Sequence, residues 1–225
     1  PRDWSSDVCS SDLGPRSKTL LESLGVKLDI DYMSFTHGII DGCSVIVCRT
    51  GYSGEHGYEV LPKWNEAPKV WDAIVSKLGD GLVCGLGARD TLRTEMGYPL
   101  HGHELSLSIT PIQASASWAV GMKKTSFWGK SICEKEKEVG PHRVLRALKS
   151  LDRGIPRAGM KVMNLENNEI GEVTSGTFSP TLRVGIALAL VKPTIGIGEK
   201  VHIEIRGRVS EAEVVKVPLV RSRVK

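Results

Sequence analysis

The sequence predicts an α+β fold in which a region of mixed helices and strands is followed by a small antiparallel β-domain. In the first region, runs with alternating faces lie beside stretches whose apolar residues have helical spacing. From Arg143 onward, six short alternating runs are separated by Asn, Gly, Pro and Ser turns, a pattern typical of a small antiparallel barrel or sandwich. We place the boundary after the charged run Glu134 to Glu138, so that the two regions cover residues 14–139 and 140–225.

The first thirteen residues, PRDWSSDVCSSDL, differ from the rest of the chain. They are polar, rich in Ser and Asp, and have no clean period. They closely resemble the translation of a common sequencing-adapter oligonucleotide, so we interpret residues 1–13 as an artefact and expect native protein to begin near Gly14, with its N-terminal part missing. A disordered native tail is the alternative. A genomic read across this junction distinguishes the two.

Three helices are predicted in the first region. The first, residues 17–24, ends at Gly25, and the second, residues 65–78, begins with Asn65 as its cap. The third covers residues 87–96. The apolar residues with helical spacing are Leu20, Leu21 and Leu24, then Val70, Trp71, Ile74 and Leu78, and finally Ala88, Leu92 and Met96.

Strands are predicted where side chains alternate between apolar and polar. In the first region these are residues 44–49 and 58–61, with a loose segment before Gly38. In the second region the six runs are Val144 to Leu148, Met160 to Met163, Glu169 to Val173, Val184 to Val191, Val201 to Ile205, and Ala212 to Val217.

Composition limits the classes of function. The chain has 225 residues, of which 40% are hydrophobic, and a formal net charge of +4 with Lys and Arg scattered, so no nucleic-acid footprint is indicated. No apolar run approaches the roughly 20 residues that span a bilayer, and we expect no membrane association. The five cysteines lack CxxC spacing, which predicts a reducing compartment and no metal site.

A glycine-rich segment, GYSGEHGYE, connects the two strands of the first region. Its glycines, Gly51, Gly54 and Gly57, recur at spacing three and allow the backbone to turn tightly beside a ligand. Tyr52 and Glu59 place an aromatic ring and a carboxylate in the same segment. This combination suits a planar heterocycle whose edge donates two parallel hydrogen bonds.

Three motifs carry a resemblance to a known family. They are GYSGEHGYEV at 51–60, GLGARDTLR at 85–93 and TSGTFSPTL at 174–182. In this order and at these separations they resemble the aminomethyltransferase (T-protein) family of the glycine cleavage system, from about residue 25 to the C-terminus. The resemblance implies a ferredoxin-like, folate-binding α+β domain followed by a β-barrel. It also implies transfer of a one-carbon unit from aminomethyl-lipoyl H-protein to tetrahydrofolate, with release of ammonia.

The resemblance assigns four folate-binding residues. Glu59 matches the family glutamate that binds the pterin edge, Tyr52 matches a tyrosine that contacts the ring, and Arg89 matches the folate-site arginine. Arg221 lies where the family has a basic residue near the folate. The implied cosubstrate is tetrahydrofolate and the implied partner is lipoylated H-protein, with no metal, and the implied location is the cytoplasm, or the mitochondrion in a eukaryote.

The family's catalytic aspartate lies far upstream of the tyrosine-glycine segment, in a Gly-Gly-Ile-Ile-Asp-Asp type motif. Gly38-Ile39-Ile40-Asp41 imitates that motif but lies only about ten residues before Tyr52. We therefore interpret Asp41 as a surface turn residue. We expect no catalytic residue on this chain, and we expect the fragment to be inactive alone.

Several features of the sequence admit a second interpretation. His101 and His103 could ligate a metal, but a polar loop after a helix is favoured. Trp118 and Trp128 are expected in the core. Sarcosine and dimethylglycine dehydrogenases, and a folate-dependent demethylase, share the implied fold, so a C-terminal folate-binding region of that kind is the alternative function. A relative that assists iron-sulfur maturation is disfavoured because its Lys-Gly-Cys motif is lacking.

Overall fold

The structure, a computed structural model, describes residues 10–224, with the backbone alone at 10–13. The described chain forms two compact units, one of residues 10–92 with 221–224 and one of residues 93–220. The α+β fold class is confirmed.

The first unit is built on a four-stranded antiparallel sheet, whose strands lie side by side in the order Ser10–Leu13, Tyr58–Pro62, Cys43–Cys48 and Phe35–Ile40. Inward side chains of the sheet, among them Val45, Val47 and Val60, pack with Val70 and Ile74 of a helix in one buried cluster. The elements are β1 (Ser10–Leu13), α1 (Ser17–Ser23), β2 (Phe35–Ile40), β3 (Cys43–Cys48), β4 (Tyr58–Pro62), a 3-10 turn (Trp64–Glu66) and α2 (Ala67–Ser76). A further helix, α3 (Leu86–Met96), begins in this unit and ends in the second.

A tight hairpin turn joins β2 to β3. Asp41 and Gly42 both have positive φ, 47° and 77°, as the favoured two-residue hairpin turns require. The Asp41 carboxylate is exposed and lies 3.5 Å from Lys69 Nζ. The structure thus confirms that Asp41 is a surface turn residue.

The predicted helices differ from the structure in three details. Asn65 lies inside a 3-10 turn and the N-cap of α2 is Glu66, because the chain tightens into that turn before the α-helix begins. Trp71 is half exposed, whereas Val70 and Ile74 carry the buried face. Ala88 is exposed, and the inward face of α3 begins only at its C-terminal half.

The second unit contains a closed antiparallel barrel of six strands, in the order Arg208–Val215, Val144–Ser150, Val184–Val191, Glu169–Ser179, Lys161–Met163 and Lys200–Ile205. Of the two architectures left open by the sequence, the structure has the barrel. Its interior is filled by small and branched side chains, such as Val173, Ala187 and Val201. The elements are a 3-10 turn (Ser117–Ala119), α4 (Lys130–Val139), β5 (Val144–Ser150), β6 (Lys161–Met163), β7 (Glu169–Ser179), β8 (Val184–Val191), β9 (Lys200–Ile205) and β10 (Arg208–Val215).

Strand β7 runs six residues beyond the predicted run, through the Thr-Ser-Gly motif. Its Gly176 packs so closely that a Cβ there would lie 2.5 Å from the Pro156 carbonyl oxygen, which explains a glycine inside a strand. Trp118 and Trp128 are exposed, so their expected place in the core is wrong.

Candidate functional site

Glu59 lies on the face of the sheet opposite the hydrophobic core. Burial alternates along β4, with Tyr58 and Val60 buried inward, so Glu59 between them projects to the other face. Its direct cross-strand neighbour is Cys48 of β3, and the neighbour of Cys48 on β2 is Phe35. Phe35, Cys48 and Glu59 therefore form a transverse row on one face, in which the thiol stands between an exposed aromatic ring and a carboxylate.

A threonine hydroxyl holds the Glu59 carboxylate. Thr50, two residues after the end of β3, donates a short hydrogen bond from Oγ1 to Glu59 Oε2. Burial of the Cys48 thiol, with the nearby Glu59 carboxylate as a second cause, raises the pKa of Cys48. Both observations place the negative charge of Glu59 where β3 ends and β4 begins.

Tyr52 and Arg89, two further predicted residues of this unit, are in contact. The Arg89 guanidinium carbon lies 4.7 Å from the centroid of the Tyr52 ring, a cation–π geometry. Arg89 is held in the first half of α3, and Tyr52 in the glycine-rich loop before β4. The structure thus brings together a ring and a cation that are 37 positions apart in sequence.

The C-terminal segment packs against the same loop. The Arg223 backbone N–H donates to the Gly54 carbonyl at 2.8 Å, and Arg49 donates to the Val224 carbonyl at 2.6 Å and to the Gly57 carbonyl at 3.1 Å. Arg49 is only 5% exposed. Arg221 is exposed at the start of this segment.

A cavity of about 570 Å³ opens elsewhere in the first unit, lined by residues that include Lys18, Tyr32, Arg49, His56 and Tyr58. The Arg49 guanidinium lies over both the Tyr32 and Tyr58 rings, at 5.7 and 5.3 Å. Burial, helped by the charges of Arg49 and Lys18, lowers the pKa of His56. None of the four predicted folate-binding residues lines this cavity.

Comparison with known proteins is decisive at the level of the family. A model described as the GCVT N-terminal domain matches residues 2–124, and one described as the Glycine cleavage T-protein C-terminal barrel domain matches residues 143–221. The chain belongs to the glycine cleavage T-protein family. The resemblance inferred from the three motifs is therefore confirmed.

Individual T-proteins agree with this membership. An aminomethyltransferase of Parafrankia sp. (strain EAN1pec) is 54% identical over 210 residues, covering 92% of this chain and 57% of its own length. An aminomethyltransferase of Mycobacterium avium (strain 104) is 52% identical over 212 residues, with the same two shares. The crystal structure of glycine cleavage system aminomethyltransferase T from Bartonella henselae superposes with a TM-score of 0.82 at 32% identity, covering 91% of this chain and 57% of that one. The chain spans little more than half the length of these T-proteins.

A buried polar network in the second unit joins two of the T-protein motifs. Arg93 donates to Glu104 at 3.0 Å and to the Ser175 hydroxyl at 2.6 Å, and it is almost fully buried. Two residues along α3, Glu95 accepts a short hydrogen bond from the Ser179 hydroxyl. The C-terminal end of α3 is thus hydrogen-bonded to β7 through the serines of the Thr-Ser-Gly motif.

Sequence reasoning did not find the role of these serines or of Thr50. Ser175 and Ser179 lie in the Thr-Ser-Gly motif and hydrogen-bond to the buried side chains of Arg93 and Glu95. The signal that could have found them is the alternation of β7, which turns both serines inward. No sequence pattern identifies Thr50, because its contact with Glu59 depends on the register of β3 against β4.

His101 and His103 are exposed in the turns that follow α3. His103 Nδ1 lies 2.7 Å from the Thr174 carbonyl oxygen. Between residues 10 and 224 we find no cluster of three or more His, Cys, Asp or Glu side chains placed to hold a metal ion. Over the same residues, no helix has the length and apolar character needed to span a bilayer.

Proposed function

We propose that the complete protein is a tetrahydrofolate-dependent aminomethyltransferase of glycine cleavage, and that this chain carries much of its folate site and its barrel. It would transfer the one-carbon unit from aminomethyl-lipoyl H-protein to tetrahydrofolate and release ammonia. The observation that carries the proposal is the Glu59 carboxylate, which Thr50 orders on the outer face of the sheet in one row with the Phe35 ring, two strands away.

The chemistry of a reduced pterin fits this face. Its aminopyrimidinone edge presents adjacent N–H donors, and a carboxylate can accept two of them in parallel. Phe35 and the Tyr52 ring offer flat apolar surface for a planar heterocycle. Arg89 supplies a fixed positive charge for the anionic glutamate tail of the folate, and Arg221 is proposed as a second cation for it.

The role of Glu59 in this proposal is positioning. By holding the pterin edge it would turn the nucleophilic nitrogen of the folate toward the carbon to be transferred, and such orientation accounts for a large share of the rate enhancement in group-transfer reactions. The catalytic aspartate of the family is proposed to lie outside these 225 residues. We place the protein in the cytoplasm, or in the mitochondrion if its source is a eukaryote.

The first test compares two glutamate-to-glutamine substitutions in the product of the complete reading frame. Glu59→Gln keeps the size of the side chain but removes the ionised acceptor, so we expect the dissociation constant of 5-formyltetrahydrofolate, a reduced folate stable to air, to rise about tenfold in calorimetric titration. The matched control is Glu55→Gln. Glu55 lies in the glycine-rich loop that precedes β4, with a carboxylate oxygen 3.9 Å from Arg223 Nη1.

The control variant should bind folate like the parent protein. Equal affinity of the parent and the Glu59→Gln protein would contradict the assignment of Glu59. Failure of the parent protein to bind any reduced folate would contradict the proposed function itself.

A further inference from the structure

We propose that Thr50 is a positioning residue of the folate site, which sets the orientation of the Glu59 carboxylate before the ligand arrives. The inference rests on the proposed function and deepens it. No motif in the sequence marks Thr50, and it carries no charge or ring with which to bind a pterin. The structure assigns it a role through the one hydrogen bond that it donates to Glu59 Oε2.

The position of Thr50 gives this bond its geometry. Thr50 follows the last residue of β3 by two positions, and β3 pairs with β4 so that Cys48 lies opposite Glu59. The hydroxyl therefore reaches Glu59 from just beyond the end of the adjacent strand. Thr50 and Glu59 are each half-buried, so water competes less for the bond than at an open surface.

The bond affects binding through preorganisation. A glutamate side chain has three rotatable bonds and samples many rotamers when nothing restrains it. A carboxylate has about four acceptor positions, and one of them accepts from the Thr50 hydroxyl. Threonine is well suited to the task because its β-branch restricts χ1 and so limits where the hydroxyl can point. A ligand that meets an ordered carboxylate loses less entropy on binding.

A purely structural role for Thr50 predicts different behaviour. If Thr50 only stabilised the loop after β3, its replacement would weaken folate binding whether or not residue 59 carried a charge. If it acts through Glu59, the effect of its replacement must depend on Glu59. A double-mutant cycle separates these two cases.

The experiment measures the affinity of 5-formyltetrahydrofolate for the complete gene product and its variants. Thr50→Val keeps the branched shape and removes the donor, and we expect about tenfold weaker binding. Thr50→Ser restores a hydroxyl and should bind within about twofold of the parent. In a Glu59→Gln background, Thr50→Val should change the affinity by less than about twofold. Thermal unfolding of each variant checks that the fold is kept.

Two results would overturn the role of Thr50. One is parent-like affinity in Thr50→Val, and the other is an equal loss from Thr50→Val in both backgrounds. Either result leaves the proposed function standing as long as the parent binds folate and Glu59→Gln does not bind as tightly. If the parent binds no reduced folate, the proposed function fails and the inference about Thr50 fails with it.

Discussion

Arg93 and Glu104 form an ion pair that is almost completely enclosed, with side chains 1% and 0% exposed. Charges so deeply buried are tolerated only when hydrogen bonds replace their hydration. Arg93 meets this condition through Glu104, Ser175 and the Tyr98 carbonyl oxygen, and Glu104 Oε2 also accepts from the Leu100 backbone N–H.

Replacement of Arg93 by methionine should destabilise the second unit strongly. The change removes one partner and leaves Glu104 buried without a counter-charge, which costs about 3–5 kcal/mol in free energy of unfolding. The measurement is the urea midpoint followed by circular dichroism. Lys161→Met, in the exposed pair with Glu169 at 3.0 Å, is the matched control and should leave the midpoint unchanged. Similar midpoints for Arg93→Met and the parent would show that the network does not stabilise the fold.

At the scale of single residues, the sequence predicts those side chains whose chemistry is visible in a local pattern. Tyr52 and Glu59 stand among closely spaced glycines, and Arg89 lies in a recognisable helix motif. Thr50 and Ser175 could not be found in this way, because a hydroxyl acquires its role only from the charge that the fold places beside it. Their partners lie 9 and 82 positions away.

At the scale of elements, the site depends on the pairing of β2, β3 and β4. Their register places Phe35, Cys48 and Glu59 in one row. The rate at which the Cys48 thiol is alkylated can therefore show whether a ligand covers Glu59. Its thiol has a pKa raised by burial and by the Glu59 carboxylate. Because only the thiolate reacts with alkylating reagents, reaction at Cys48 should keep rising with pH beyond the ordinary thiol range.

Saturating 5-formyltetrahydrofolate should slow the alkylation of Cys48 by iodoacetamide at least about fivefold, since the ligand would cover the thiol and Glu59 together. Peptide mass spectrometry measures the rate at each cysteine. Cys84, which is exposed and belongs to none of these strands, is the internal control and should react at the same rate with and without ligand. Unprotected Cys48 at full folate occupancy would place the ligand on another surface.

Two elements, β2 and α4, were not predicted from the sequence, and a third, β7, is longer than predicted. Each difference has a physical reason. β2 carries exposed Phe35 and Ile39 on its outer face, so it lacks the usual alternation of apolar and polar side chains. α4 buries only Cys133 among its ten residues, so its charged sequence has no apolar stripe from which a helix is recognised. β7 continues past Val173 through small polar residues that face buried charges.

At the scale of the whole molecule, the barrel was the most predictable part. Each of its six strands has at least one inward row of apolar residues, and turn residues separate the strands, so alternation marks every strand within a few residues except at the end of β7. The sequence could not decide between barrel and sandwich, because closure depends on the pairing of β10 with both β5 and β9. The boundary at residue 139 and the status of residues 1–13 stay predictions.

The most direct test of the proposed function is ammonia release by the protein expressed from its complete reading frame, assayed with tetrahydrofolate and aminomethyl-loaded, lipoylated H-protein. We expect ammonia to appear only when both partners are present, and the rate to fall in the Glu59→Gln variant. Folate binding without ammonia release under these conditions would contradict the aminomethyltransferase assignment and would favour a folate-binding relative such as a dimethylglycine dehydrogenase.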